Sequence, residues 1–184
     1  MLNLSDRLTV GHLKVKGIKK KYNDKIFYTG NPIRQEIFKY KKDYKTHHQD
    51  GFLNLLIFGG SQGASFFSDI IPDSINKLDN TKKSLLRVFH QVRINEFERV
   101  KKCYHSMNVK SEVKTFFYNL PELLNNSHLL ISRSGASTVA EVAATKTPAI
   151  FIPFHHSIDD DQRLNTIELE KIGQVIVKNE KKLD

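Results

Sequence analysis

Residues 53–64 read Leu53-Asn54-Leu55-Leu56-Ile57-Phe58-Gly59-Gly60-Ser61-Gln62-Gly63-Ala64, an apolar run that ends in a turn of glycine and other small residues. A second stretch repeats this arrangement, with Leu129-Leu130-Ile131-Ser132 followed by Arg133-Ser134-Gly135-Ala136-Ser137-Thr138. Small residues at the carboxyl end of a strand let a ligand approach the backbone, and the free N–H groups of the next helix favour an anion. Two such turns on one sheet predict a site for a nucleotide diphosphate or a sugar nucleotide.

Short apolar segments alternate with helix-like segments from residue 53 onward. We predict strands at 53–58, 85–91, 113–117, 129–132, 149–152 and 174–177, and helices at 64–78, 95–107, 121–125, 138–145 and 160–172. This alternation is typical of the α/β class, with a Rossmann-like parallel sheet, helices on both faces and ligands at the carboxyl ends of the strands. Residues 51–184 are therefore predicted to form one nucleotide-binding domain.

The first fifty residues have a different pattern. They are rich in charge and contain one short strand-like segment at 25–28, the turn Thr29-Gly30-Asn31-Pro32, and a Lys/His/Asp-rich stretch at 39–50 that indicates an exposed helix and linker. We interpret residues 1–50 as an N-terminal extension and linker, the remnant of an inter-domain region.

The composition narrows the class of protein. The chain has 184 residues and 39% hydrophobic residues. It has no apolar run near the roughly 20 residues needed to cross a bilayer, and no signal-peptide pattern at its start. The single cysteine, Cys103, cannot form an internal disulfide, which is typical of a cytoplasmic protein.

The formal net charge of +9 favours anionic partners. The basic residues are scattered, however, and are not interleaved with the stacking aromatics that nucleic-acid readers use, so many of them serve only to solvate the surface and no nucleic-acid partner is predicted. The cluster Lys19-Lys20-Lys21 is a candidate patch for anionic membrane lipids.

The two turns differ in how specific they are. The first lacks the glycine spacing of a dinucleotide-binding loop and the Lys of a phosphate-binding P-loop, so a purely structural turn stays open as an alternative. The second is followed by a carboxylate. If the helix begins near Ser137, Glu141 lies about one turn in and can accept hydrogen bonds from a ribose diol while the amides of residues 134–137 hold phosphate. The alternative role for Glu141 is a first-turn carboxylate that stabilises the helix dipole.

A third polar segment, Pro153-Phe154-His155-His156-Ser157-Ile158-Asp159-Asp160-Asp161-Gln162-Arg163-Leu164-Asn165, follows the predicted fifth strand. Its consecutive acidic residues enter a helix and point in different directions, which argues against a metal site. Asp161, Gln162 and Asn165 share a helix face near the helix start. Side-chain amides both donate and accept hydrogen bonds, so this face suits sugar hydroxyls.

These motifs, together with Thr29-Gly30-Asn31-Pro32-Ile33-Arg34, resemble glycosyltransferase family 28, the family of the bacterial MurG transferases. The resemblance runs from about residue 25 to the end and covers the C-terminal, donor-binding half of a GT-B fold of two Rossmann-like domains. It implies transfer of N-acetylglucosamine from UDP-GlcNAc to undecaprenyl-pyrophosphoryl-MurNAc-pentapeptide, which converts lipid I to lipid II in peptidoglycan synthesis. It also implies an inverting reaction without metal or other cofactor, and a peripheral location on the cytoplasmic face of the inner membrane.

The resemblance assigns roles position by position. It implies that Glu141 binds the ribose and that Phe117, at the end of the third predicted strand, presents its backbone to uracil. The implied diphosphate and sugar contacts are Arg34, Ser61 and Gln62, the backbone of Ser134, Gly135 and Ala136, and, for the GlcNAc hydroxyls, Asp161, Gln162 and Asn165. Asp161 stands where the family usually has His or Gln, and Tyr118 where an acidic residue is frequent.

No catalytic residue is assigned, because the family's proposed base lies in the N-terminal half, which has no counterpart in this sequence. The chain by itself is therefore expected to be inactive and to meet lipid I only through a missing or separately encoded N-terminal half. Two alternatives stay open at this point: a non-catalytic UDP-sugar-binding fragment, and a basic Rossmann-like nucleic-acid or regulatory protein.

Overall fold

The structure, a computed structural model, describes residues 5–11, 18–39, 50–60, 65–154 and 161–183. Two sheets occur in these residues. The smaller one is a parallel pair formed by β1, Leu8–Val10, and β2, Ile26–Tyr28. The larger one has six strands and carries the candidate site.

Within the described residues, the larger unit is built from six strands and six helices. Its strands are β3 (Leu53–Phe58), β4 (Leu86–Gln91), β5 (Lys110–Lys114), β6 (Leu129–Ser132), β7 (Ala149–Phe151) and β8 (Val175–Val177). Its helices are α1 (Ser65–Asn76), α2 (Asn80–Ser84), α3 (Phe97–Ser106), α4 (Leu120–Asn126), α5 (Ala136–Thr145) and α6 (Asp161–Lys171). Short 3-10 helices lie at Lys20–Lys25, Gln35–Lys39, Ile94–Glu96 and Glu180–Lys182. Within the described ranges, no helix combines the length and apolar character that crossing a membrane requires.

The order of the six strands is β5-β4-β3-β6-β7-β8, and every neighbouring pair is parallel. The chain builds outward from β3 through β4 to β5, then returns to the other side of β3 and builds outward again through β6 to β8. The direction of growth therefore reverses between β3 and β6. In open α/β sheets, ligands bind in the crevice at such a switch point, outside the carboxyl ends of the strands.

The apolar runs of the central strands serve both faces of the sheet. Leu56 and Phe58 pack in a core with residues of α4 and α5, whereas Leu55 and Ile57 pack in a second core with residues of α1 and α3. This division follows from the two-residue period of a strand, which sends successive side chains to opposite faces. The predicted α/β class with helices on both faces of a parallel sheet is confirmed.

The third strand of the predicted domain is displaced from its predicted position at 113–117. The structure has β5 at Lys110–Lys114, where it pairs with β4 in a register that places Arg87 opposite Lys110 and Gln91 opposite Lys114. The polar sequence of this edge strand gives no apolar run. Phe117, which the sequence placed at the strand end, lies in the following loop with its ring in the core, 2% exposed.

The N-terminal part agrees with the sequence in some places only. The strand at 25–28 is present as β2, but β1 was not predicted; in the larger unit, α2 was not predicted either. The 3-10 helix Gln35–Lys39 packs on the six-stranded unit, because Ile37 is buried in the core beneath α4 and α5. Most of the predicted helix and linker at 39–50 lies outside the described residues, and the division at residue 50 stays a prediction.

A buried histidine connects β4 to α3. His90 is fully buried, and its Nδ1 lies 2.8 Å from the hydroxyl of Tyr104. Its Nε2 has no hydrogen-bond partner among the described residues. Burial lowers the pKa of His90 from 6.5 to about 3, because the imidazolium loses its hydration, and the nearby Glu96 carboxylate opposes this only partly. The ring is therefore neutral at physiological pH.

This neutral histidine predicts a stability that falls in mild acid. The pKa of His90 is lower in the folded protein than its unfolded value of 6.5, so below pH 6.5 the unfolded chain binds more protons than the folded one. The folded state is therefore fully favoured above pH 6.5 and loses stability as the pH falls below it. The free energy of unfolding should drop by about 1.4 kcal/mol between pH 7.5 and 5.5 on account of His90. Denaturant titrations of the wild type and His90→Asn, whose amide can still bond Tyr104, measure the difference. Identical pH slopes in the two proteins would refute this assignment.

Candidate functional site

The two glycine turns leave the sheet side by side. β3 and β6 are hydrogen-bonded neighbours in which Phe58 pairs with Ser132, the last residues of the two strands. The Ser132 hydroxyl donates to the Phe58 carbonyl across a distance of 2.7 Å, which ties the strand ends together. Gly60 has a φ of +86°, a conformation that side-chain-bearing residues rarely adopt, so the first turn requires glycine there. The sequence thus places both turns at the switch point.

The second turn opens directly onto the start of α5. The helix begins at Ala136, and its N-cap is Gly135, which has no side chain to occupy the free amides of the first turn. Ser134 is fully buried, and its Oγ has no hydrogen-bond partner within the described ranges. Free amides, the positive end of a ten-residue helix and an unsatisfied hydroxyl together favour an anion. Ser134, Gly135 and Ala136 are therefore brought together where the sequence placed them.

Arg133, in the same turn, is directed to other partners. Its guanidinium binds the Glu180 carboxylate through two contacts of 2.9 Å and also donates to the carbonyls of Ile152 and Pro153. These contacts fix the chain after β7 and the C-terminal 3-10 helix against the second turn. The charge of Arg133 is paired there with the Glu180 carboxylate. Glu180 is a partner that sequence reasoning missed, because a contact 47 residues away leaves no local pattern.

Arg34 and Glu141 form a bidentate ion pair. Arg34 Nε donates to Glu141 Oε1 at 2.6 Å, and a terminal guanidinium nitrogen donates to Oε2 at 2.7 Å. The hydrogen bond to Glu141 raises the pKa of Arg34, against a smaller opposing effect of burial. Glu141 is only 5% exposed and lies beyond the first turn of α5, so the alternative of a first-turn carboxylate that stabilises the dipole is wrong. The structure brings both predicted residues together, with Arg34 held on the carboxylate.

The amino-terminal part of α6 faces the second turn. Asn165 Nδ2 donates to the Ser134 carbonyl at 2.9 Å, and Gln162 Oε1 accepts from the Phe154 backbone N–H at 2.9 Å. Neither the Gln162 Nε2 nor the Asn165 Oδ1 bonds to a described residue. Asp161 is exposed at the helix start, where its carboxylate accepts from the Gln162 N–H. Asn165 thus reaches the second turn, and Gln162 reaches the chain after β7.

The loop after β5 is connected to the first glycine turn through Gln91. The backbone N–H of Phe117 donates to Gln91 Oε1 at 3.3 Å. Gln91, the last residue of β4, also donates from Nε2 to the Gly60 carbonyl at 3.1 Å. The sequence drew attention to Phe117 but not to Gln91, since a single glutamine at a strand end has no distinguishing pattern.

Some predicted positions lie outside the described residues. These are Ser61 and Gln62 of the first turn and the segment 155–160, which includes His155, His156, Asp159 and Asp160. Among the residues that are described, no group of three or more His, Cys, Asp or Glu side chains is arranged to hold a metal ion.

Comparison with known proteins gives one family match. The model of the glycosyltransferase family 28 C-terminal domain matches residues 54–184. Sequence relatives include UDP-N-acetylglucosamine–N-acetylmuramyl-(pentapeptide) pyrophosphoryl-undecaprenol N-acetylglucosamine transferases. The one from Chelativorans sp. is 38% identical over 88% of this chain and 44% of its own length, and the one from Bartonella henselae is 39% identical over 89% and 43%. The chain thus spans less than half the length of these relatives.

Solved structures agree with the sequence matches. MurG from Acinetobacter baumannii superposes with a TM-score of 0.69 and 27% identity, over 87% of this chain and 44% of its own. A UDP-GlcNAc 2-epimerase from Neisseria meningitidis, solved with UDP-GlcNAc bound, has a TM-score of 0.52 and 16% identity over 85% and 43% of the two chains. The second likeness is one of fold alone.

The ion pair between Arg34 and Glu141 should contribute to stability. Removing either partner leaves a buried carboxylate unpaired or a guanidinium unsatisfied, so Arg34→Met and Glu141→Gln should each destabilise the fold. A double-mutant cycle should give a coupling of about 1–2 kcal/mol, less than for a fully buried pair because Arg34 is 44% exposed. Lys171 and Glu168, an exposed pair, provide the matched control, with coupling of about 0.5 kcal/mol or less. Equal couplings in the two cycles would contradict the contact seen here.

Proposed function

Because the chain belongs to glycosyltransferase family 28, whose C-terminal domain it matches, we propose that it binds UDP-GlcNAc. In this proposal it supplies the donor-binding half of a transferase that converts lipid I to lipid II. The main support for this proposal is the position of the start of α5. It lies at the switch point beside the first glycine turn, next to the Ser134 hydroxyl, which has no hydrogen-bond partner among the described residues. Helix starts of this kind hold phosphate in many nucleotide-binding folds. The names of the sequence relatives supply the identity of the sugar nucleotide and of the acceptor.

In this proposal the diphosphate lies against the backbone of Ser134, Gly135 and Ala136, and Ser61 and Gln62 are assigned as further contacts to it. The Glu141 carboxylate accepts hydrogen bonds from the ribose hydroxyls. The Arg34 contacts use one lone pair of each carboxylate oxygen, so further lone pairs stay available to a diol. The other terminal nitrogen of the half-exposed Arg34 guanidinium bonds to no described residue, and it is proposed to donate to the diphosphate. Arg34 thereby serves both the ribose and the phosphates.

The sugar is assigned to α6. Gln162 Nε2 and Asn165 Oδ1 are the amide atoms left open by the contacts to Phe154 and Ser134, and one donates while the other accepts. Exposed Asp161 adds an acceptor at the same helix end. Sugar hydroxyls need both kinds of partner, so these three residues are proposed to read the GlcNAc hydroxyls.

The proposed chemistry is an inverting displacement at the anomeric carbon. A base in the part of the enzyme that this chain does not match deprotonates the acceptor hydroxyl. The hydroxyl oxygen then forms a bond to C1 of the sugar, and the bond from C1 to the diphosphate oxygen breaks. The charge that develops on the departing UDP is stabilised by the start of α5 and by Arg34. No metal ion or other cofactor is required of this chain, and no residue of this chain is assigned as catalytic.

The acceptor lipid I is proposed to bind through an N-terminal half, whether separately encoded or otherwise absent from these 184 residues. A lipid acceptor would place the chain on the cytoplasmic face of the inner membrane, where the net charge of +9 and the exposed Lys19, Lys20 and Lys21 favour anionic lipid. The second candidate is a non-catalytic UDP-sugar-binding fragment. The scattered basic residues give no support to a nucleic-acid partner.

Donor binding by the purified chain tests the proposal. Calorimetry should show binding of UDP and UDP-GlcNAc, unchanged by a chelator or by magnesium, and no lipid II should form from lipid I. Asn165→Ala should weaken UDP-GlcNAc binding roughly fivefold relative to UDP, because it removes a sugar contact worth about 1 kcal/mol.

Asn54→Ala is the matched control, since Asn54 also donates from Nδ2 to a backbone carbonyl at 2.9 Å but lies near the amino end of β3. It should leave the ratio of the two affinities unchanged. Failure to bind either ligand would overturn the proposed function. Equal losses for UDP and UDP-GlcNAc in Asn165→Ala would instead place Asn165 at the diphosphate or in the fold.

A further inference from the structure

A basic cleft lies beyond the carboxyl ends of β7 and β8, one and two strands away from the second glycine turn. Its volume is about 480 Å³, which is within the usual range for a ligand pocket. The chain after β7, the first turn of α6 and the chain after β8 supply its polar and aromatic lining, which consists of Pro153, Phe154, Arg163, Lys178, Asn179 and Lys181. The nucleotide and sugar contacts assigned above use none of these side chains.

The cleft carries positive charge. Lys178 and Lys181 are exposed, and neither forms an ion pair with a described residue. Among the described residues, no acidic side chain lines the cleft. The Glu170 carboxylate accepts from Arg163 at 2.7 Å, which pairs the third cation of the lining. Two unpaired ammonium groups therefore share one cleft with an arginine, an arrangement that favours an anion.

The hydrogen-bonding groups that the lining side chains leave open are all donors. Arg163 makes both of its contacts, to Thr166 and Glu170, through one terminal nitrogen, so Nε and the other terminal nitrogen bond to no described residue. Asn179 uses Oδ1 to accept from the Lys181 backbone N–H, which leaves its Nδ2 without a described partner. Sugar hydroxyls need acceptors as well as donors, whereas an ionised phosphoryl group has acceptor oxygens only. The donor set therefore suits phosphate or diphosphate.

Several lining residues are held in place by contacts outside the cleft. The Phe154 N–H donates to Gln162, and the Phe154 ring lies 5.4 Å from the Arg133 guanidinium carbon. Asn179 is fixed as the N-cap of the 3-10 helix Glu180–Lys182. Side chains that are already ordered lose less conformational entropy when a ligand binds. This order distinguishes the cleft from a set of freely moving surface lysines.

We propose that this cleft is a second anion site, which binds the phosphate or diphosphate group of a ligand other than the sugar nucleotide. The proposal goes beyond the proposed function, because it does not require UDP at the switch point. An anion in the cleft would lie at the same edge of the sheet as the proposed donor, since β6, β7 and β8 are parallel neighbours.

Calorimetry with inorganic diphosphate tests the site, with saturating UDP present to fill the switch point. The wild type should bind diphosphate, and the double variant Lys178→Met/Lys181→Met should raise its Kd about tenfold, because two charge-assisted contacts are lost. The matched control is Lys101→Met/Lys102→Met, which removes two exposed positive charges from α3, beside β5 at the opposite edge of the sheet. Its Kd should match that of the wild type.

No diphosphate binding in the presence of UDP, or an equal loss in the two double variants, would overturn the proposal. A wild type that binds diphosphate through Lys178 and Lys181 but does not bind UDP is a different result. It would overturn the proposed function and support the second site.

Asn179→Asp tests the donor set with a single change. Aspartate keeps an acceptor for the Lys181 N–H but replaces the Nδ2 donor with a negatively charged acceptor. We expect the Kd for diphosphate to rise about tenfold, while the melting temperature stays at or above that of the wild type. Unchanged diphosphate affinity in a folded Asn179→Asp protein would refute the assignment of the donors.

Vesicle sedimentation distinguishes two sources of the phosphoryl group. Vesicles of phosphatidylglycerol and phosphatidylcholine are compared with vesicles of phosphatidylcholine alone, with the same two double variants. If the lysine pair of the cleft is needed for binding to the anionic vesicles and the pair on α3 is not, the ligand is a lipid headgroup. If the two variants bind these vesicles equally, the ligand is a soluble diphosphate. Both results support the site, provided that the calorimetry shows diphosphate binding through Lys178 and Lys181.

Discussion

The parallel pairing of β3 with β6 is the constraint on which the candidate site depends. Phe58 and Ser132 end the two strands as partners, and the Ser132 hydroxyl bonds the Phe58 carbonyl. Each strand is followed by a turn of small residues, so both turns must start at the same place. The direction of sheet growth reverses between these strands, and in open α/β sheets the crevice at such a switch point is where ligands bind.

Two arginines beside this crevice form ion pairs. Arg133, the basic residue within the second turn, is bound to Glu180, and Arg34 is bound to Glu141. Among the described residues, the groups that favour an anion there include the positive end of α5, the Ser134 hydroxyl and the remaining N–H groups of Arg34. A site of this kind can stabilise a leaving diphosphate without a metal ion, since helix amides are oriented in advance and need little reorganisation. The two ion pairs mainly fix the frame: one orients the carboxylate assigned to ribose, and the other holds the chain after β7.

The sequence predicted the parts of the site that depend on local pattern. Apolar runs ended by glycine turns predicted the parallel sheet and the position of Ser134, Gly135 and Ala136, because strand ends and helix starts are encoded by neighbouring residues. The spacing of Gln162 and Asn165 on one helix face also marked them as candidate sugar contacts, whereas Arg34 came only from the family resemblance. Membership of glycosyltransferase family 28 is confirmed by the family match. The failures involve partners distant in sequence. The displaced β5 is polar and takes its register from β4, and the contacts of Gln91 and Glu180 depend on tertiary packing that no local pattern records.

A crystal structure of this chain with UDP-GlcNAc tests the central claim most directly. The account predicts the diphosphate within hydrogen-bond distance of the backbone amides at the start of α5, the ribose diol on Glu141, and the sugar against Gln162 and Asn165. A donor bound away from the ends of β3 and β6, or a diphosphate that contacts neither the second turn nor α5, would contradict it.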